Sequence, residues 1–188
     1  MNNDRIKFVT GQKKRFLNEI SARIAKFKLQ GKDLGVFVTI EEDGHLRLPR
    51  DFVDEYVNLT SEQYEKLSKK EKAKYDKQYE LSTRYLIVCY NNCNKKYLDL
   101  VDELDANEKL DLLRAEINGL VADQARANGF LAVLSRESAE RKQKELGIKG
   151  KLEDNQVEEY NQEVAQINYI QQALKFKQAE FEKLNENL

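Results

Sequence analysis

The sequence predicts a mainly α protein: long antiparallel helices, bundle- or coiled-coil-like, with a small N-terminal module of one helix plus a β-hairpin. Three observations predict it. Leu113, Ile117, Leu120, Gln124, Ala127, Leu131 and Leu134 recur at alternating spacings of four and three, which draws one seam down a helix with Gln124 as its single polar occupant. One Pro and eight Gly in 188 residues leave long stretches without a helix breaker. One short segment, 34–49, switches from helical period to strict alternation. Charged residues make up 35% of the chain and apolar residues 40%, with a mean hydropathy of −0.75, so the core is thin and spread along rods. Thin cores commonly draw stability from oligomerisation or a partner.

In chain order, residues 12–30 read as a helix. Leu17, Ile20, Ile24 and Phe27 share one face with Phe16 beside them, Lys13, Lys14, Arg23, Lys26 and Lys28 decorate the rest, and Gly31 is the stop. Val36, Val38 and Ile40 then alternate with Phe37 and Thr39, Asp43-Gly44 is a strong hairpin-turn signal, Leu46 and Leu48 form the return strand, and Pro49 ends it. A lone hairpin is marginal in water and has to pack on a helix or another edge. The run Asp43-Gly44-His45-Leu46-Arg47-Leu48-Pro49-Arg50-Asp51-Phe52 resembles the AbrB-type swapped-hairpin DNA-binding fold, which carries a Gly, a short alternating strand, a Pro and a polar helix start. The resemblance implies DNA binding by this segment. It covers a small part of the chain, without the preceding strand arrangement and with few basic residues. A strand ending in Pro before a helix is also a generic connection, and that is the reading taken. A short helix over Arg50–Val57 completes a basic module, 1–58.

The remainder, 59–188, reads as a bundle or hairpin of long helices at about 60–104, 106–146 and 155–188. Thr60 with Gln63 makes a capping box at the first start. Glu65 to Lys77 is so highly charged that it is expected to be solvated on most sides. Tyr85–Tyr90 has the β-branched and aromatic content of a strand, but Leu86, Tyr90, Cys93, Tyr97, Leu100 and Leu104 keep a four-three spacing straight through it, which favours helix. Asp105 with Glu108 signals the next start. Gly119 and Gly129 lie inside the seam helix, where they permit a close approach or a kink. Gly147 and Gly150 mark a turn. Tyr160, Ile167, Leu174, Phe181 and Leu188 then recur every seven residues. Ile167, Leu174 and Phe181 are therefore expected to pack antiparallel on the seam of Leu113, Ile117, Leu120, Leu131 and Leu134.

The same residues narrow the function. The formal net charge is −1, so no global basic field attracts nucleic acid. Residues 1–32, however, hold nine Lys or Arg against Asp4 and Glu19, a local charge of +7. Lys13, Lys14, Arg15, Arg23, Lys26 and Lys28 are the candidate partner-binding residues. Few aromatics lie near this charge to stack on bases, and the chain has no Trp to anchor it in a bilayer, so an acidic protein surface is favoured over nucleic acid, and no membrane is expected. Cys89 and Cys93, four apart, read as structural thiols. With one histidine, His45, no zinc set can be composed. Asp99, Asp102, Glu103, Asp105, Glu108 and Asp111 read as helix-end and solvated carboxylates. No glycine spacing fits a phosphate loop, and no Ser/His/Asp set exists. The tyrosines Tyr56, Tyr64, Tyr75, Tyr79, Tyr85, Tyr90 and Tyr97 suit either an interface or the edge of a narrow core.

The expectation is a structural or interaction protein with no enzymatic activity, no cofactor and no metal. It would be a subunit of a large assembly such as a phage virion or head–tail connector, held by other protein subunits as a homo- or hetero-oligomer. The alternatives are a nucleic-acid-binding regulator using the basic helix and hairpin, and a small inhibitor or adaptor docking on a host protein. The polar N-terminus carries no signal-peptide pattern, which places the protein inside a cell or in a virion.

Overall fold

In the computed structural model, residues 2–29, 38–48, 52, 59–144 and 154–187 are described. The fold is mainly α, as the periodicities require, with six helices and one two-stranded antiparallel sheet among the described residues. The N-terminal helix α1 spans Asn2–Leu29 and starts well before the expected residue 12. Ile6 and Val9 are buried and extend the face of Ile20 and Ile24 across Gly11. The seat between Val9 and Phe16 on that face is filled by Lys13, which an apolar count reads as a break.

The hairpin is present but short. β1 is Thr39–Ile40 and β2 is Leu46–Arg47, paired Thr39 with Arg47 and Ile40 with Leu46. Glu41 and His45 close the loop through the Glu41 N–H to His45 carbonyl bond of 2.9 Å, and Gly44 sits at φ +80. Only glycine takes that conformation without strain, and a Cβ there would lie 3.1 Å from Asn94 Oδ1. So small a ladder cannot stand alone, and helical side chains complete it. Asn91 Oδ1 accepts from the Leu46 N–H at 2.8 Å and Asn91 Nδ2 donates to the Leu46 carbonyl at 2.9 Å, as a neighbouring strand would. On the other edge the Ile40 N–H donates to Gln172 Oε1 at 3.3 Å. Ile40 and Leu46 face inward and are buried.

The expected continuous helix over 60–104 is three helices instead: α2 (Ser61–Glu65), α3 (Lys69–Tyr79) and α4 (Thr83–Asp102). Serines make the breaks. Ser68 accepts from the Glu71 N–H while the Glu71 carboxylate reaches back to the Ser68 N–H at 2.9 Å, a full capping box, and the Ser82 hydroxyl accepts from the Tyr85 N–H at 3.0 Å. These N-caps satisfy donors that a straight helix would have paired internally, so a break at Ser68 and at Ser82 leaves few N–H groups orphaned. The Thr60–Gln63 box forms as read. α2 and α3 bury no residue and turn on each other through Tyr64 and Tyr75, in line with the charge of this stretch. Tyr85–Tyr90 is helical, inside α4.

α5 (Ala106–Lys144) begins at the Asp105–Glu108 box, and α6 (Asp154–Glu186) returns against it. Leu113, Ala127 and Leu134 on α5 and Ala165, Ile170 and Leu174 on α6 are buried; Ile117, Leu120, Leu131, Ile167 and Phe181 are half-buried. A Cβ at Gly119 or Gly129 would meet no atom within 4 Å, so neither glycine serves a close helix approach. α1 packs against both α4 and α6. One core cluster joins Ile20 and Ile24 of α1, the hairpin's Ile40 and Leu46, Leu86, Ile87 and Tyr90 of α4, and Ala165 of α6. A second joins Ile6, Val9, Cys93, Tyr97 and Leu104. Among the described residues, no helix is long and apolar enough to cross a membrane. The expected stop at Gly31, strand positions Val36 and Phe37, Pro49, the Arg50–Val57 helix as such, the Gly147–Gly150 turn, Leu188 and the side chains of Lys26, Phe27 and Lys28 lie outside the described residues.

Candidate functional site: an enclosed lysine among four helices

The helices converge on polar side chains rather than on an unbroken apolar seam. Lys13 leaves the surface of α1 and points between α4, α5 and α6. Its ammonium donates to Asn94 Oδ1 at 2.6 Å and lies 4.3 Å from the centre of the Tyr97 ring and 5.5 Å from that of Tyr90. The aromatic faces offer negative potential to the cation. Asn94, itself buried, passes the interaction on, with Nδ2 donating to the Asp43 carbonyl at 2.8 Å and lying 3.4 Å from His45 Nδ1. The hairpin turn is thereby tied to Lys13 through one amide.

A second chain of contacts runs to α5 and α6. The Tyr97 hydroxyl donates to Glu116 Oε1 at 2.6 Å, and Lys177 Nζ lies 3.1 Å from Glu116 Oε2 and 5.3 Å from the Tyr97 ring centre. The Tyr90 and Tyr169 hydroxyls share a bond of 2.9 Å. Burial lowers the Lys13 ammonium to about 8, with Lys177 adding to the lowering and Glu116 opposing it. Burial likewise pushes the hydroxyls of Tyr90, Tyr97 and Tyr169 above the usual phenol range, with the nearby Glu116 carboxylate reinforcing each. At neutral pH these three are neutral donors, and the lysine is mostly but not wholly protonated.

Lys13, Tyr169, Ala173 and Lys177 form a wall shared by two cavities. A slot of about 670 Å³ opens between α1, α5 and α6, and a smaller cavity of about 140 Å³ lies toward the hairpin. Glu163 keeps one buried carboxylate oxygen, Oε2, without a hydrogen bond, while the buried Glu116 Oε2 is met by the Lys177 ammonium.

The candidate basic residues fare differently from one another. Lys13 is inside. Lys14 pairs with Asp123 of α5 at 2.7 Å, Arg15 with Glu19 of its own helix at 3.2 Å, and Arg23 donates to the Leu81 carbonyl. The structure thus disperses these four rather than gathering them into one patch. Cys89 is half-buried and Cys93 buried, both as free thiols, and Cys93 Sγ lies 3.7 Å from Gln12 Oε1. Asp99, Asp102, Glu103, Asp105, Glu108 and Asp111 are all exposed. Of the tyrosines, Tyr90 and Tyr97 belong to the core with their polar tips bonded.

Sequence reasoning missed Asn94, Glu116, Tyr169 and Lys177 as a group, since they come from three helices far apart in the chain. For Lys13 a signal existed: it occupies a core position of the Ile6, Val9, Phe16, Ile20, Ile24 face. Compared with known protein families, curated proteins and solved structures, the chain matches none.

Proposed function

We propose that the chain is a structural or interaction protein without enzymatic activity, a subunit of a large assembly such as a phage virion or head–tail connector. One observation carries this reading. Phe130 and Val133, one helical turn apart on α5, are exposed, Val133 by 53%. Tyr160 of α6, also exposed, lies level with them, because Arg126 and Glu163, each about one turn away, face one another at 3.7 Å. Bulky apolar side chains grouped on one stretch of a helical hairpin are what a neighbouring subunit covers.

Sedimentation of the full chain over a hundredfold concentration range tests the reading. Self-association, or a stable complex with a co-expressed structural protein, is expected, and the double variant Phe130→Asp, Val133→Lys should abolish it with helicity retained. A chain that stays monomeric and takes no subunit partner, or association that survives the double variant, would remove the α5–α6 arm from the account.

A further inference from the structure

α3 buries no residue, yet it is a built helix with a full capping box at Ser68, and its charges are sorted by face. Lys70, Lys74 and Lys77 recur at spacings of four and three, so they share one face. Tyr75 and Tyr79 take the opposite face, where Tyr75 meets Tyr64 of α2 at 5.5 Å and Tyr79 meets Tyr85 of α4 at 5.7 Å between ring centres. The lysine face is therefore turned outward. All three lysines are exposed, as are Lys66 and Lys69 beside them. The acids between 65 and 80 are engaged inside this stretch. Glu71 accepts from the Ser68 N–H at 2.9 Å, Asp76 accepts from the Tyr64 hydroxyl at 2.8 Å, Glu65 meets Lys72 at 3.2 Å, and Glu80 is the C-cap. Among the described residues, none of the five exposed lysines has a carboxylate within ion-pair distance. A row of unmatched ammonium groups on one face calls for a polyanion. α2 and α3 expose no large apolar side chain; the nearest, Leu81, follows the helix. A protein interface is centred on apolar anchors and is depleted in lysine, and a helix lying on a bilayer needs an apolar face. A single strand calls for free rings to stack on, whereas Tyr64, Tyr75 and Tyr79 are engaged. Duplex RNA is met through its 2′-hydroxyls as well as its phosphates, and this face offers ammonium groups alone. The row is ~10 Å long at the helical rise. Three or four phosphates of one DNA strand span that length, at about 3.4 Å each.

We propose that the outward lysine face of α3 docks on the phosphate backbone of duplex DNA, without readout of bases. The inference stands apart from the assembly reading, since Phe130, Val133 and Tyr160 lie on α5 and α6.

A fluorescently labelled DNA duplex of about two helical turns is the probe, titrated with the full chain by anisotropy at salt concentrations from about 50 to 200 mM. Saturable binding is expected at the low end. Its log affinity should fall linearly with log salt, at a slope of roughly −2.7 for three phosphate contacts to −4.5 for five. The triple variant Lys70→Gln, Lys74→Gln, Lys77→Gln should weaken binding about tenfold or more and flatten the slope to about −1.8, the two flanking lysines remaining. Its helicity and melting temperature should match the wild type, because α3 buries nothing. The control Lys7→Gln, Arg15→Gln, Lys95→Gln removes three exposed cations from α1 and α4 and should leave affinity within about twofold. Absence of saturable binding at low salt, a slope near zero, undiminished binding in the triple variant, or an equal loss in the control would overturn the proposal. So would a single strand, a duplex RNA, poly-L-glutamate or phosphatidylserine vesicles bound as tightly as the DNA duplex, since each would assign the face to a different partner.

Discussion

At the scale of single residues, Lys13 has the largest consequence. Its ammonium is taken from an ordinary 10.5 to about 8, so the folded chain binds that proton less tightly than the unfolded chain does. Tenfold in proton affinity is about 1.4 kcal/mol, and the enclosed charge therefore costs about 3 kcal/mol at neutral pH. Between about pH 8 and 10.5 the unfolded state holds more protons at this site, so its contribution to stability rises with pH across that window. Lys13→Met removes the charge and leaves Asn94 Oδ1 without its donor, which takes back about 1 kcal/mol. The variant should unfold in urea with about 2 kcal/mol more stability at pH 7, and the gain should shrink by pH 10. A destabilised variant, or a gain that does not change with pH, would mean that Lys13 is held by favourable pairing rather than at a cost. Gly44 makes a smaller case. Gly44→Ala meets both the strain of φ +80 and the contact with Asn94 at 3.1 Å, and should destabilise by about 1–2 kcal/mol.

Among the elements, the hairpin and α3 are the two that survive on borrowed contacts. β1 and β2 contribute two residues each, and Asn91 supplies a donor and an acceptor to buried Leu46. Asn91→Ala leaves both backbone groups of Leu46 unpaired, for a loss of about 2–3 kcal/mol in chemical denaturation. The same loss in Asn91→Asp would be smaller, because the acceptor is kept. α3 buries nothing and depends on its cap. The hydroxyl and backbone N–H of Ser68 hold the Glu71 carboxyl below its usual range. That support is present above the ordinary carboxylate range and is lost as pH falls through the lowered value. Amides of α3 should therefore exchange faster than those of α4 at neutral pH, with Ser68→Ala widening the gap. Equal protection of α3 and α4 would show that something else covers α3.

For the whole molecule, stability rests on α6, which packs against both α1 and α5 and also meets the hairpin. Leu174 is buried on that helix beside Ala173, which packs against the first core cluster. Leu174→Asp should destabilise by several kcal/mol, since it puts an unpaired carboxylate into an apolar contact. An unchanged melting temperature would place this face outside the folded core of the isolated chain.

Much of the fold could be read from residue spacing because spacing is local. The α5 seam, the antiparallel return of α6, the helical state of Tyr85–Tyr90 and the caps at Thr60 and Asp105 all follow from residues within a turn or two of each other. The breaks at Ser68 and Ser82 were equally local. They were hidden because a run without Gly or Pro looks continuous, although serine caps end helices as effectively. The early start of α1 was lost at Lys13, where periodicity and hydropathy disagree. What no local pattern contains is the reason a lysine stands in a core position. Asn94, Tyr97, Glu116, Tyr169 and Lys177 are brought to it by three other helices, from 81 to 164 residues further along the chain. Sequence alone determined which faces are apolar and where helices start, since these depend on neighbours at i+3 and i+4. Only the packing of the four long helices decided that one lysine would be enclosed against an amide and two aromatic rings, because burial and pairing are properties of the assembled interior.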